Sequence, residues 1–431
     1  MSINIVVTNI INPISDKKAD LLLNHAIVIK NGKILEVGES FKLISKFQKS
    51  TPLIIDRSDY LCLPTFFDMH FHWVQDDVRL MPKDSLLEWL SKYTWPYEEK
   101  FKSLDYTKNK VKKFAAELIQ NGTLGGACYA SIHPHTVDLA LENFIGNFTI
   151  GNVLMDMNSP DYLSQSSDAA IETVKKLSPK YKEKYAVTPR FAITTSPLVM
   201  KETSKIAQKN KSFIQTHLSE TKNEIDFVLS IYKKIKGFEK VETYTEIYQK
   251  SKVLGPKTIM GHGIYLSNDE LKLLAKTKTA ICHCPTSNAP VNELGLGSGL
   301  FNFKIVEKHK VRWALGSDIG GGPYLSMFDV MRSFVLQNRK KKIKEATFVK
   351  ALYRSTLAGA ELLNRNKLNG SIDKKKEANF ILIKMPKMKN ISSEKVLEKI
   401  ILNSKSQREN YQHLIQETYY QGKNIYSVIS K

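Results

Sequence analysis

Two histidines separated by one residue, His70 and His72, stand at the end of the apolar run Leu63–Met69. On an extended chain, side chains i and i+2 leave the same face, so both imidazoles can reach one ion at the zinc–nitrogen distance of about 2.0–2.1 Å. A lone His-x-His says little. It gains weight because His217 ends the run Phe213–Thr216, His262 ends Thr258–Gly261, and Asp318 closely follows Val311–Leu315. Four of the ten histidines therefore stand where an apolar run stops, with an aspartate at the last such place. Neutral imidazoles and a carboxylate make a donor set for a divalent cation. A cation with an open position lowers the pKa of bound water towards about 7, which is the basis of metal-assisted hydrolysis. Zinc fits this set, although iron or manganese can occupy similar His/Asp sites.

The other histidines and the cysteines read as structural. Pro134 separates His133 from His135 after a strand, where a loop entering a helix is expected. Cys282-His283-Cys284 has no second Cys/His pair to complete a tetrahedral site and is expected to be a strand with its following loop. His25, His309 and His413 read as surface or packing residues.

Residues at strand ends need strands to hold them. Eight apolar runs lie between about residues 65 and 365: Leu63–Met69, Leu124–Ile132, Phe148–Leu154, Val187–Thr194, Phe213–Thr216, Thr258–Gly261, Thr279–Cys282 and Val311–Leu315. Amphipathic segments such as Asp105–Gln120, Ser166–Leu177, Lys222–Lys236 and Asn268–Lys276 lie between most of them. Eight strand–helix units predict an α/β fold, a (β/α)8 barrel with its active site at the C-terminal strand ends. The first 60 residues predict short strands at Ile3–Ile10, His25–Lys30 and Lys33–Val37, the last two joined by an Asn31-Gly32 hairpin turn. Glu377–Lys384 predicts one more strand, and Ser393–Ile401 and Arg408–Glu417 a short helical tail. The expected organisation is a small composite β domain from residues 1–62 and 367–431 beside a barrel over 63–366.

Size and composition agree with a globular protein of 431 residues, 42% hydrophobic and 25% charged. Residues 1–15 lack a basic start followed by an apolar run, and no uncharged stretch is long enough to span a bilayer. Four cysteines are too few for a disulfide framework, so a cytoplasmic location is expected. The net charge of +21 raises the alternative of a non-catalytic protein that binds nucleic acid or anionic lipid. Only nine of the 64 basic residues are arginine, which disfavours base readout or bidentate phosphate binding. The lysines read as a solvated surface.

These motifs resemble the amidohydrolase superfamily and, within it, the guanine deaminase family. The likeness covers almost the whole chain. It includes the histidine pair, Leu86-Leu87-Glu88-Trp89-Leu90-Ser91-Lys92-Tyr93-Thr94-Trp95-Pro96, Pro189-Arg190-Phe191-Ala192, His217-Leu218-Ser219-Glu220 and Gly261-His262-Gly263. Further on come His283-Cys284-Pro285-Thr286-Ser287-Asn288, Gly316-Ser317-Asp318-Ile319-Gly320-Gly321-Gly322 and the turn Gly370-Ser371-Ile372 before Glu377-Ala378-Asn379-Phe380. The resemblance implies one divalent metal, usually zinc, held by His70, His72, His217 and Asp318. It implies Glu220 as proton shuttle, with a helix first-turn charge as the competing reading. His262 would touch the leaving group or attacking oxygen, and Asp318 would also accept the proton of the water.

Gln75, Arg190 and Phe191 would bind a purine ring, and Trp73 and Trp95 could add aromatic faces. The implied reaction is guanine plus water to xanthine plus ammonia, on a small-molecule purine, with a homodimer left open. The alternative keeps the metal and changes the ring to an adenosine derivative, a pterin or a triazine-like heterocycle. Four departures stand out. Thr65 replaces the usual glycine, Asn379 replaces the usual aspartate, and the segments 76–85 and 289–294 are atypical. Both segments are expected over the pocket mouth, where they bear on the substrate.

Overall fold

The computed structural model describes residues 3–389, 391–403 and 414–428. Eight parallel strands form the barrel, in sequence order across the sheet: β5 (Phe66–His72), β6 (Thr123–Ala130), β7 (Asn147–Leu154), β8 (Ala186–Pro189), β9 (Phe213–Leu218), β10 (Thr258–His262), β11 (Ala280–His283) and β12 (Trp313–Leu315). They fall on the eight predicted runs, and helices alternate with them, so the (β/α)8 fold is as expected. Almost every strand residue is buried, because strands covered by helices outside and by packed side chains inside have no face for water. A short helix, Leu357–Leu362, stops the N-terminal end of the barrel, with Ala358 and Ala360 packed among Phe67, Met69, Phe213 and Ile259.

A second sheet of seven strands takes both ends of the chain: β1 (Asn4–Ser15), β2 (Lys18–Lys30), β3 (Lys33–Glu39), β4 (Leu53–Pro64), β13 (Phe380–Lys384), β14 (Ile415–Tyr420) and β15 (Lys423–Ser427). Its order is β15-β14-β13-β4-β1-β2-β3. The Asn31-Gly32 turn has φ of 53° and 75°, both in the left-handed region that a two-residue hairpin needs. The expected tail is only partly helical. Ser393–Asn403 is a helix, but Ile415 to Glu417 belong to β14, and residues 408–413, His413 among them, lie outside the described residues. The strand prevails there because both faces find partners: Ile415 is buried with Ile381 and Ile383 on one side of the sheet, and Tyr419 on the other, its ring stacked 4.5 Å from Phe380. No helix among the described residues is long and apolar enough to cross a membrane.

The barrel closes between β5 and the end of β12 through a buried carboxylate. Asp68 accepts from the backbone N–H groups of Ser317 at 2.8 Å and His70 at 3.3 Å, and also bonds the Ser317 hydroxyl. Asp318 N–H donates to the His70 carbonyl at 2.7 Å. Burial raises the Asp68 carboxyl to about 7, against the lowering effect of these donors. Asp68→Ala would leave the Ser317 and His70 donors buried without an acceptor. We expect a loss of about 2–3 kcal/mol, read as a lower urea midpoint.

Candidate active site

The strand ends bring His70, His72, His217, His262 and Asp318 to one point. His70 and His72 leave the same face of β5, as their spacing requires. His262 and Asp318 have φ of 69° and 53°, so the backbone leaves strand geometry where each side chain must turn into the mouth. Gly261 makes room for the first imidazole, since a Cβ there would lie 2.6 Å from Cε1 of His70.

The spacing between donor atoms is that of a coordination shell. His70 Nε2 lies 3.2 Å from Asp318 Oδ1, His72 Nε2 lies 3.6 Å from the same oxygen, and His72 Nε2 lies 3.1 Å from His217 Nε2. The edge of a tetrahedron of donors around zinc is about 3.3 Å, given bonds of 2.0–2.1 Å. The ring nitrogens of His70 and Nδ1 of His72 are buried without a hydrogen-bond partner. Burial holds His70 and His217 near a pKa of about 3 and His72 well below its ordinary value, so the imidazoles are neutral, with lone pairs free for a cation. His217 Nδ1 donates to the Arg190 carbonyl at 2.6 Å, which directs its Nε2 to the centre.

His262 also belongs to the cluster, and its ligand atom lies within 4.8 Å of those of His70, His217 and Asp318. Its role differs, because Asn288 Nδ2 reaches both His262 Nδ1 and Glu220 Oε1 at 3.1 Å. A carboxylate oxygen takes the amide as donor, so the same NH2 group donates to Nδ1 and leaves the proton on Nε2. That N–H faces Glu220 Oε2 at 3.5 Å and Asp318 Oδ2 at 3.9 Å. His262 thus presents a donor, where the other three present lone pairs.

Glu220 is buried and also accepts from Ser298 Oγ at 3.0 Å. Burial, then the nearby Asp318 and Glu224, push its carboxyl well above the usual range, so it can carry a proton at neutral pH. It is no first-turn charge: the helix begins later, at Lys222, capped by Thr221 and Glu224. A pocket of about 410 Å³, open to solvent, lies over the cluster and is lined in part by Gln75, Arg190, Phe191, Trp89 and Leu296.

One residue behind this wall carried no signal in the sequence. Glu98 is buried and bridges two of the expected contacts, accepting from Gln75 Nε2 and from Arg190 Nη1, each at 2.6 Å. Trp73 and Trp95 do not supply faces. Trp73 is core, edge-on to Phe101 at 5.1 Å, and Trp95 packs against the Tyr129–Ile132 cluster. Trp89 takes that place. Cys282, His283 and Cys284 are buried at the end of β11 as structural residues, with His283 stacked 4.5 Å from Phe301. His133 and His135 stack on each other outside the pocket.

The two atypical segments meet each other, and neither supplies a residue to the pocket lining. Lys83 Nζ donates to the carbonyls of Arg79 at 2.7 Å and Leu294 at 3.2 Å, tying one to the other.

The profile of the amidohydrolase family matches residues 61–411. The chain is 32% identical over 370 residues to the guanine deaminase of Escherichia coli, covering 83% of this chain and 80% of that one. It is 33% identical over 386 residues to the guanine deaminase of Mus musculus, covering 84% and 82%. In structure it is similar to the guanine deaminase of C. acetobutylicum with guanine bound in the active site, with a TM-score of 0.85, 28% identity, and coverage of 99% of this chain and 100% of the other.

Proposed function

Because the chain belongs to the amidohydrolase family, we propose that it is a metal-dependent deaminase that converts guanine and water to xanthine and ammonia. The observation that carries this reading is the facing of two sets of groups across one pocket. On one side are a cation-type donor set and the proton-carrying Glu220; on the other are Gln75 and Arg190, held by Glu98 for the edge of a polar ring.

In this reading His70, His72, His217 and Asp318 hold one zinc ion, and the orphaned nitrogens and tetrahedral spacing fit it. The ion, when bound, makes hydroxide available near neutral pH. Asp318 accepts a proton from the attacking water. Glu220 carries a proton to the ring nitrogen beside the carbon under attack and then to the departing amine, which is a poor leaving group until protonated. His262 donates its Nε2 proton to the oxygen on which charge develops. Arg190 offers donors to a carbonyl oxygen or ring nitrogen, Gln75 a donor and an acceptor, and Phe191 a face.

The test is ammonia release across guanine, adenine, cytosine, a pterin and an aminotriazine, with zinc content measured on the same sample. We expect guanine to lead by at least about a hundredfold in kcat/KM, because a base that mismatches the ring-edge contacts leaves buried polar groups unpaired. Another ring turned over faster would overturn the substrate.

Glu98 adds a separate expectation. Glu98→Gln removes the charge that aligns Arg190 and Gln75. KM for guanine should rise by about 10–100-fold, with kcat changed less, since uniform binding is lost. Equal losses in kcat and kcat/KM would contradict this role.

A further inference from the structure

The face of the barrel opposite the mouth carries a charge pattern that the deaminase chemistry does not use. Of the six helices from Ser167 to Lys308, five end in Lys-x-Lys, all but Lys222–Tyr232: Lys180–Lys182, Lys209–Lys211, Lys250–Lys252, Lys276–Lys278 and Lys308–Lys310. Each pair lies at the turn before one of the strands β8 to β12. In a parallel barrel every such turn lies at the N-terminal strand ends, so the ten lysines form one arc on a single rim. All ten are exposed. Among the described residues only Lys180 is within ion-pair distance of a carboxylate, that of Asp138 at 2.9 Å. The lysines dispersed along the sequence are thus gathered by the fold.

Helix ends account for half of this pattern. A cation in the last turn stabilises the C-terminal carbonyls, which explains the first lysine of each pair. It does not explain the second. Lys182, Lys211, Lys252, Lys278 and Lys310 have φ of 51°, 60°, 62°, 57° and 59°. This left-handed position favours glycine, and other residues enter it at a cost. The same barrel uses Gly122 (φ +65°) and Gly146 (φ +133°) at the turns before β6 and β7. Five repeated departures from local preference, all adding the same charge on one side, point to a use for the charge.

We propose that this lysine rim docks on an anionic lipid surface. Ammonium groups are compact point charges without the planar fork that reads bases or clamps one phosphate. None of the exposed large apolar residues lies in a Lys-x-Lys turn, and Tyr181 and His309 are the two ring-bearing residues within those five turns, so the lysine arc has no row of aromatic faces for single strands and no apolar wedge of its own to enter a bilayer. A broad array of positive charges without either complements a sheet of negative headgroups. Docked this way, the protein keeps its mouth towards solution.

The experiment is sedimentation of the full-length, metal-loaded protein with phosphatidylcholine vesicles, with and without phosphatidylserine, at low and raised salt. The variant replaces Lys182, Lys211, Lys252, Lys278 and Lys310 with glycine, which suits these turns, so thermal midpoint and deaminase turnover should be retained. A control replaces Lys33, Lys49, Lys344, Lys387 and Lys389 with glutamine. We expect binding only to phosphatidylserine vesicles, weakened at least about tenfold in the glycine variant and by raised salt, and much less in the control. No binding by the parent protein, equal losses in the variant and the control, or retention on duplex DNA or RNA but not on vesicles would overturn the proposal.

Discussion

Glu220→Gln should abolish ammonia release from guanine, with kcat lower by about 10³–10⁴-fold and zinc content unchanged. The change keeps the shape of the side chain, and the remaining carbonyl oxygen can still accept from Ser298 and Asn288, which meet Glu220 Oε1 at 3.0 and 3.1 Å. What disappears is a group able to gain and lose a proton. Glu220 sits in a fully buried setting that pushes its carboxyl well above the usual range, which suits an acid that must hold a proton at neutral pH and release it to a leaving amine. The KM for guanine should change little, because ring-edge recognition belongs to the opposite wall. Steady-state ammonia assays with metal analysis on the same preparation decide the matter. Turnover within about tenfold of the parent would remove Glu220 from the reaction.

Stripping the metal should have an effect of similar size. A strong chelator should reduce turnover by more than about a hundredfold, with recovery on adding zinc. Since burial keeps the His70 and His217 imidazoles near a pKa of about 3, protons do not compete for their lone pairs at neutral pH. Removal returns several buried donor atoms to an unsatisfied state. Binding at about a thousandfold over Kd contributes about 4 kcal/mol, so the thermal midpoint of the stripped protein should fall by on the order of 5 °C. Two variants separate the ligand set from the neighbouring donor. His72→Ala should lose the metal, whereas His262→Asn should keep the metal and lose turnover. The reverse result would place His262 in the coordination shell and His72 outside it.

The barrel was legible because each strand is a short apolar run with a helix after it, and the site because its polar residues stand where those runs stop. Glu98 was hidden for the opposite reason. It lies in a helix, and its partners Gln75 and Arg190 are 23 and 92 residues away in sequence. Nothing in periodicity links such positions. Asn288 and Ser298 likewise lie in a loop, where a polar residue is unremarkable until Glu220 is beside it. Strand β4 escaped notice because Asp56, Arg57, Ser58 and Asp59 interrupt its apolar pattern, although the chain stays extended through them. The β14–β15 hairpin was missed because its turn is Gln421-Gly422, with φ of 47° and 73°, in place of a more familiar Asn-Gly. Trp73 and Trp95 are packed, as aromatic residues near strand ends more often are.

Strand β4 also has a consequence for how a ribosome delivers this protein. In the finished sheet it lies between β1 and β13, and Thr65 alone separates it from β5. The segment that pairs with its second edge, Phe380–Lys384, emerges only after all eight barrel strands have been made. Throughout that interval the nascent chain holds an open strand edge, with Leu61, Cys62 and Leu63 along it, directly upstream of His70 and His72. Chains that stop short of residue 380 retain every proposed metal ligand, yet keep a sticky edge that invites pairing with another copy. The last strands therefore act as a seal on the product of synthesis, and their loss should appear first as aggregation.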